Sequence, residues 1–552
     1  MAGLVTSLGS GAKTNPITDL TLSDCILVIG SNFAENHPII SRYVLDAKER
    51  GATLIVADPR VTPPAWQADI FLQLLPGTDI SLLNGLMNII LSEGIQKQDF
   101  IATRTNGFKD LEKGLKEYTP ERVAQETGVG VDNLIAAAQA YANAGAASIV
   151  YCMGVTQHTC GTDTVINCAN LALMCGQIGR PGTGVNPLRG QDNVQGACDM
   201  GALVNVFPGY QSVADEAVRT FFAKAWGTTP DLLPAKPGKT VVEMSHAAVK
   251  GELKGMLIMG ENPVVGDPNS SHVQQGLEAL DFLAVIDLFM TETACMADVI
   301  LPAAGFAEKR GSKTATDRRV QWFERAIDPI GECKPDWRIV SDLATDLGFG
   351  NNFKYESEEQ ILAEIQSVTP IYQGISAERI QNTLGGIPWP CRTIDSPGTP
   401  ILYTETFSKP DGRAVFKPIE QIPSAEERSD DYPLFLTSGR VVLHYNTGTM
   451  TRRSRALRRR EPDLFLQIHP ATCESYGIRD LDQVEVVTRR GRIRAKARVT
   501  KNIPQEVVFL PFHFPDTNVL TTDALDPVAK IPEYKVAACR IARLNSGQDG
   551  VD

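Results

Sequence analysis

Short apolar runs that end at a glycine or an aspartate punctuate the first third of the chain and predict its strands. CILVIG, at 25–30, reads as a buried strand that stops at Gly30 and runs into SNFAENHP. Helical spacing over 39–50 follows, and TLIVAD predicts a second strand ending at Asp58. A strand, turn, helix and strand in this order form a nucleotide-binding unit, with the ligand beyond the strand ends. The turn is Gly30-Ser31-Asn32, not GxGxxG. That weakens a case for NAD but keeps the general mode, with phosphate near the turn and ribose or base near Asp58.

The unit occurs twice. MLIMGEN, at 256–262, matches ILVIGSN, and FLAVID, ending at Asp287, matches TLIVAD. Gly30 and Asp58 are 28 positions apart, Gly260 and Asp287 are 27, and from each aspartate it is 11 more to Asp69 and to Asp298. A proline closes each following strand, Pro76 and Pro302. Two related lobes imply one dinucleotide spread between them or two ligands side by side, and the plainer alternative is a duplicated scaffold with one inert site.

Amphipathic helices are predicted at 80–94 and 120–142, a buried strand at 147–155 and a packing helix at 337–347. Proline and turn residues place a linker at 398–431. Beyond it PLFLTSGR, LFLQIHP, QVEVVTRRGRIRAKARV and EVVFLPFHF predict short strands of a compact barrel. The predicted class is therefore α/β, with two related nucleotide-binding lobes (1–200 and 201–397), the linker, and a β-barrel cap over 432–552.

An apolar run at 165–174 leads through Gly176, Gly179 and a turn at 181–184 into NPLRGQDNVQGACDMG, at 186–201. Three glycines, one arginine and six side-chain amides or carboxylates share these sixteen residues, which hold too little aliphatic bulk for a core. The glycines let backbone approach a ligand, the amides offer neutral donors and acceptors, and Arg189 offers a planar fork for a carboxylate or phosphate. A glycine-rich surface loop with an exposed arginine is the bland alternative.

The net charge of −12 argues against nonspecific nucleic-acid binding. Basic runs at 451–460 and 489–501 suit an anionic cofactor or a solvated face. Eleven cysteines include no CxxC, so neither a zinc ribbon nor a ferredoxin-type cluster is expected, and Cys160, Cys168 and Cys175 read as buried thiols. No apolar run approaches a membrane span and the first residues lack a signal peptide, which predicts a soluble cytoplasmic chain.

At VIGSNFAENHP, PGTDISLLNG, MGVTQHT, NLALMCGQIGRPGTGVNPLRGQDNVQGACDMG, MGENP, FMTETACMADVILPA, HYNTGTMTRRS and DPVAKIPEYK the chain resembles the catalytic subunits of molybdenum or tungsten bis(pterin guanine dinucleotide) oxidoreductases. VQGACDMG and TGTMTRR resemble the formate dehydrogenases among them. The resemblance implies two molybdopterin guanine dinucleotides on one Mo or W, one per lobe, under the barrel cap. It implies that Gly30, Asn32, Glu35, Asp58, Arg60, Gly77 and Asp79 line one, and Gly260, Glu261, Asn262, Asp287, Thr291 and Thr293 the other. Gly154, Gln157, His158, Gly190, Gln191 and Asn193 fall in cofactor-proximal segments, neither Gln157 nor His158 is expected to be catalytic, and Gly439, Arg440, His444, Thr447, Gly448, His513, Asn518 and Lys535 close over both. A lone His444 or His513 would otherwise read as a satisfied surface or core histidine.

Arg189 matches the family's active-site arginine, which would hold formate while hydride passes to a sulfido ligand of the metal centre, leaving carbon dioxide and two electrons. The family's N-terminal 4Fe-4S segment, its electron-passing lysine and its selenocysteine or cysteine metal ligand with the histidine after it have no counterpart here, so no protein metal ligand is assigned. Where the family reads VAGL this chain begins MAGL. The expectation is a start at an internal valine-type codon, after a UGA selenocysteine codon taken as stop, or a split enzyme with the cluster domain on a second chain. By itself the polypeptide is expected not to turn over formate, and an iron–sulfur or flavin electron-transfer subunit is the expected partner. Lys313 and Ala315 depart from the family pattern near the pterin. The competing readings are a nitrate reductase or formylmethanofuran dehydrogenase, and a non-catalytic scaffold subunit.

Overall fold

The computed structural model describes residues 1–544. The chain divides into two compact units, one of Met1–Gly190, Val265–Ser270 and Ile401–Asp552, the other of Gln191–Val264 and Ser271–Pro400.

The first unit holds a sheet of β1 (Cys25–Ile29), β2 (Thr53–Ala57), β3 (Ile70–Leu72), β4 (Ala147–Tyr151) and β5 (Gly184–Pro187), all parallel, in the order β3-β2-β1-β4-β5. Alternate side chains leave opposite faces of a strand. Ile26, Val28, Leu54, Val56 and Val150 pack with Ile40, Val44 and Ala47 of α1 (Pro38–Glu49). Leu27, Ile29, Ile55 and Ile149 pack on the other face with α2 (Asp79–Ser92), α3 (Val131–Asn143) and α4 (Gly161–Met174). With both faces covered, every position of β1 is apolar and buried, which is why CILVI has no alternation.

Two predicted elements differ in extent. The helix expected over 120–142 is broken into Pro120–Thr127 and Val131–Asn143, because Gly128 takes a left-handed φ of 80° and closes the first helix on Ala124 O. The strand expected over 147–155 ends at Tyr151, and a helical turn, Met153–Thr156, follows. The segment read as a linker carries one two-residue strand, Ala414–Val415, and is bound to the first unit's helices through Asn84 Nδ2 to Ile419 O (2.8 Å) and Asn170 Nδ2 to Lys417 O (2.7 Å).

In the second unit β6 (Gly255–Met259), β7 (Phe282–Asp287) and β8 (Val299–Pro302) form a parallel sheet with β7 central. The repeat holds at atomic detail. Asp69 accepts from Leu54 N and donates its own N–H to Leu54 O, both at 2.8 Å, and Asp298 makes the same pair with Leu283 at 2.7 and 2.9 Å. Gly30 N–H donates to Ala57 O and Gly260 N–H to Ile286 O, with φ of 55° and 65°. Asp58 Oδ1 accepts from Arg60 N, and Asp287 Oδ1 from Phe289 N, each two residues on.

The rest of the first unit is a closed barrel of β9 (Leu434–Gly439), β10 (Phe465–Ile468), β11 (Gln483–Val487), β12 (Arg492–Val499), β13 (Val507–Pro511) and β14 (Ala537–Arg543), in the order β9-β13-β10-β12-β11-β14. Closure removes free strand edges. Among the described residues no helix is long and apolar enough to cross a membrane.

Candidate functional site

Strand order in the five-stranded sheet reverses between β1 and β4, and a cleft opens where the loops after those strands diverge. Gly30, Asn32 and Asn36 line it after β1, Asp58, Arg60 and Thr62 after β2, Gly77 and Asp79 after β3, and Cys152, Gly154, Gln157 and His158 after β4. The barrel adds Thr437, Ser438, Gly439 and Arg440 from β9 and its end, with Phe509, Phe512 and Lys535. Eleven of the candidate cofactor-binding residues thus share one cavity.

Glycine is required at its narrowest point. Gly154 N–H donates to Gly30 O at 3.0 Å, and a Cβ at Gly154 would stand 2.5 Å from Gly30 Cα. One at Gly30 would stand 2.8 Å from Gly154 C.

Charge in the cleft is dense and incompletely paired. Arg60 lies 3.5 Å over the Phe509 ring, and its buried Nε has no hydrogen-bond partner, nor do Asn32 Oδ1 and Thr62 Oγ1. Burial pushes the Asp58 carboxyl up to about 6 against the pull of Arg60. Burial lowers the Lys535 ammonium to about 8, with Arg440 adding repulsion, while its Nζ donates to Ser438 O at 2.7 Å. Beneath them His158 donates Nε2–H to Gly154 O (2.8 Å) and lies between Asp79 (4.0 Å) and Glu533 (3.6 Å). Those carboxylates and the Gly154 carbonyl outweigh burial and raise its pKa.

Arg189 follows β5 at the same edge of the sheet. Its neighbour Leu188 donates N–H to Tyr151 O (2.8 Å) and accepts Cys152 Sγ–H on its carbonyl (3.1 Å). His37 Nε2–H donates to Arg189 O at 2.8 Å. The Arg440 guanidinium lies against Gly190, where a Cβ would fall 2.6 Å from Nη2.

The remaining candidates of the first unit hold the loops. His513 accepts Val441 N–H on Nε2 (3.0 Å) and donates Nδ1–H to Asn446 O (2.5 Å), and burial depresses its pKa to about 3. His444 uses one nitrogen on Thr451 Oγ1 and the other on Glu461 O. Thr447 pairs with Thr449, Gly448 has a φ of 72°, Asn518 donates to Val265 O and Gly266 O, and Asn32 Nδ2 donates to Glu35.

In the second unit Asn262 joins the loops after β6 and β7. Its Oδ1 accepts from Thr293 N and Oγ1, and its Nδ2 donates to Glu292. Thr291 Oγ1 accepts from Ala294 N, Asp287 at the end of β7 accepts Leu288 N–H on Oδ1, and Gly260 and Glu261 are exposed, with open space where a Gly260 Cβ would point. Asn193 accepts Thr314 N–H at 2.9 Å, while Gln191 is exposed. The unusual Lys313 pairs with Asp192 at 2.6 Å.

The molybdopterin oxidoreductase family matches residues 5–346, and the molydopterin dinucleotide binding domain matches 434–538. The chain belongs to the molybdopterin oxidoreductase family. It is 47% identical over 546 residues to the F420-dependent formate dehydrogenase 1 subunit alpha of Methanococcus maripaludis, and 49% identical over 546 residues to the F420-dependent formate dehydrogenase subunit alpha of Methanocaldococcus jannaschii. Each alignment covers 99% of this chain and 80% of the relative. The acetylene hydratase of Pelobacter acetylenicus shares the fold, with a TM-score of 0.77 at 19% identity, over 98% of this chain and 80% of that one.

A molybdopterin dinucleotide is an anion with a donor-rich base, and the cleft fits one. Arg60 Nε offers an unused donor, Asn32 Oδ1 and Thr62 Oγ1 unused acceptors, and the Gly30–Gly154 contact a place where backbone alone can face a pyrophosphate. A phosphate held beside Lys535 would relieve the repulsion on it, so its affinity is expected to be greatest with the amine charged and to decline as pH rises through about 8. Guanosine diphosphate titrated calorimetrically onto the cofactor-free chain is expected to bind roughly tenfold more weakly to Lys535→Met than to wild type, the equivalent of about 1.4 kcal/mol. The variant should also lose the decline above pH 8.

Several residues that brace the loops of the cleft escaped the sequence reading. His37 is the next-to-last residue of the VIGSNFAENHP motif, and Glu533 begins the EYK of DPVAKIPEYK and accepts Ala425 N–H at 2.8 Å. Asp526, in the same motif, caps α4 through Thr162 N and Oγ1, both at 2.8 Å. Their motifs were the only signal.

Proposed function

We propose that this chain is the catalytic subunit of a formate dehydrogenase, converting formate to carbon dioxide, a proton and two electrons, or the reverse, with two molybdopterin guanine dinucleotides holding Mo or W. The observation that carries the reading is Arg189, placed just beyond β5 in a chain nearly half identical along 546 residues to two formate dehydrogenase alpha subunits. When bound, the pterin-held metal supplies the two-electron acceptor.

The protein's part is binding and orientation. A guanidinium grips both oxygens of a carboxylate in one plane, so the C–H bond of formate points away from Arg189 along a defined line. His37, Leu188 and Gly190 fix the main chain that carries the arginine. Arg60, Arg440 and Lys535 supply the positive charge for one dinucleotide, and the loops after β6 and β7 take the second. Electrons pass to a separate subunit bearing iron–sulfur and flavin centres and from there to a deazaflavin, in keeping with the F420 in the relatives' names. Eleven free thiols support a reducing, cytoplasmic setting.

The test is purification from the native source with its companions, elemental and pterin analysis, and formate-dependent reduction of viologen and of F420. Mo or W with two pterins per metal and turnover of formate are expected. Loaded protein that reduces nitrate and leaves formate untouched would overturn the reading.

A further inference from the structure

One carboxylate in the second unit has no part in the cleft and is built into its surroundings more fully than any role in packing asks. Asp199 ends the short helix Val194–Asp199, inside the arginine-bearing loop, and its side chain is wholly buried. Oδ1 accepts Tyr210 O–H (2.6 Å) and Gln195 Nε2–H (2.7 Å), and Oδ2 accepts Tyr372 O–H and Trp389 Nε1–H, both at 2.7 Å. The donors come from three separate stretches of chain besides the helix itself.

The other end of the same loop is tied to the same cluster. Thr314 Oγ1 bonds the Tyr372 hydroxyl at 2.9 Å, and Thr314 N–H donates to Asn193 Oδ1. Asn193 is held at a φ of 59°, and a Cβ at Gly196 would collide with its amide. Residues 193–199 therefore hang on one buried network at both ends, and Gln191 and Asp192 join them to Arg189 and Gly190.

We infer that Asp199 is a positioning residue that sets the loop beginning at Gln191 in its substrate-binding conformation, so that disturbing its four hydrogen bonds weakens the hold on formate while leaving the dinucleotides in place. The inference rests on the proposed reaction for its substrate and on geometry for the anchoring.

Asp199→Asn is the discriminating change. A carboxylate accepts on both oxygens, whereas an amide accepts on one side and donates on the other. The tyrosine hydroxyls can turn to accept from it. Trp389 Nε1–H cannot, so the new amide must set its oxygen toward Trp389 and its nitrogen toward Gln195, whose own amide must then turn to accept on Oε1 and stops donating Nε2–H to the Tyr210 hydroxyl. Tyr210→Phe removes a single donor and is the milder companion.

The holoenzyme variants are to be compared with wild type in metal and pterin per chain, in kcat and KM for formate, and in deuterium uptake of peptides over 186–201. For Asp199→Asn, unchanged cofactor content, a KM raised about tenfold or more and faster exchange at 191–199, with β1 and β2 unaffected, are expected. Tyr210→Phe should move the same quantities less. A KM and exchange rate equal to wild type in either folded variant, with only kcat or yield reduced, would assign Asp199 a purely structural role. If Asp199→Asn does not fold, Tyr210→Phe decides the matter alone. Should wild type fail to oxidise formate, the proposed reaction falls, and exchange at 191–199 still decides the anchoring.

Discussion

Replacing Arg189 by lysine is expected to lower kcat/KM for formate by roughly 10²- to 10³-fold, the range found when one preorganised donor is removed from a reacting centre. Lysine keeps the charge but carries it as a point on a flexible stem, and it cannot present two parallel N–H groups to a carboxylate. The loss should therefore fall on orientation. Arg189 lies outside the group of side chains lining the cleft, and its main chain is held by His37 and by Leu188, so the variant should carry wild-type metal and pterin. Steady-state kinetics on protein normalised for metal content measures the effect. An unchanged kcat/KM would remove the arginine from the reaction and with it the observation on which the functional reading stands.

Gly154→Ala should act on the cofactor instead of the substrate. Its Cβ would fall 2.5 Å from Gly30 Cα, backbone against backbone, where no rotamer change can help. The loops after β1 and β4 must separate, at a cost of about 1–3 kcal/mol or more for an overpacked site. Because those loops are two walls of the cleft, the loss should appear as roughly ten- to hundredfold weaker dinucleotide binding, read as pterin per purified chain. Gly130→Ala is the control, since its Cβ would meet nothing within 4 Å, and it should purify with a full complement. Equal pterin in both variants would mean that the close approach of Gly30 and Gly154 does not shape the site.

Much of this architecture is legible as spacing. The recurrence of glycine and aspartate at 28 and 27 positions, with Asp69 and Asp298 each 11 further on, marks the duplicated unit. What the spacing does not reveal is why the distal aspartates recur. Each closes the opening of the neighbouring strand by bonding the N–H of its second residue, Leu54 or Leu283. Periodicity also runs smoothly across Gly128 and so hides the break between two helices, because apolar spacing records a face and not a backbone angle.

The polar clusters are where sequence reading reaches its limit. His444 and His513 lie among residues suited to a ligand, yet the direction of their ring nitrogens depends on main-chain atoms up to 72 positions away. Asp199 looks like one more polar residue of a glycine-rich loop until Tyr210, Tyr372 and Trp389 converge on it.

The order of apolar runs and turn residues by itself determined the duplicated α/β lobes, the barrel and the motifs of the family, because strand burial and turn conformation are set by neighbours in the chain. Only the tertiary structure decided that Lys535 and Arg440 of the barrel join Asp58 and Gly30 of the first lobe, and that the loop of Arg189 passes from one compact unit to the other at Gly190. Those pairings join residues hundreds of positions apart, and a charge or a hydrogen bond has no partner until the packing of distant cores brings one within reach.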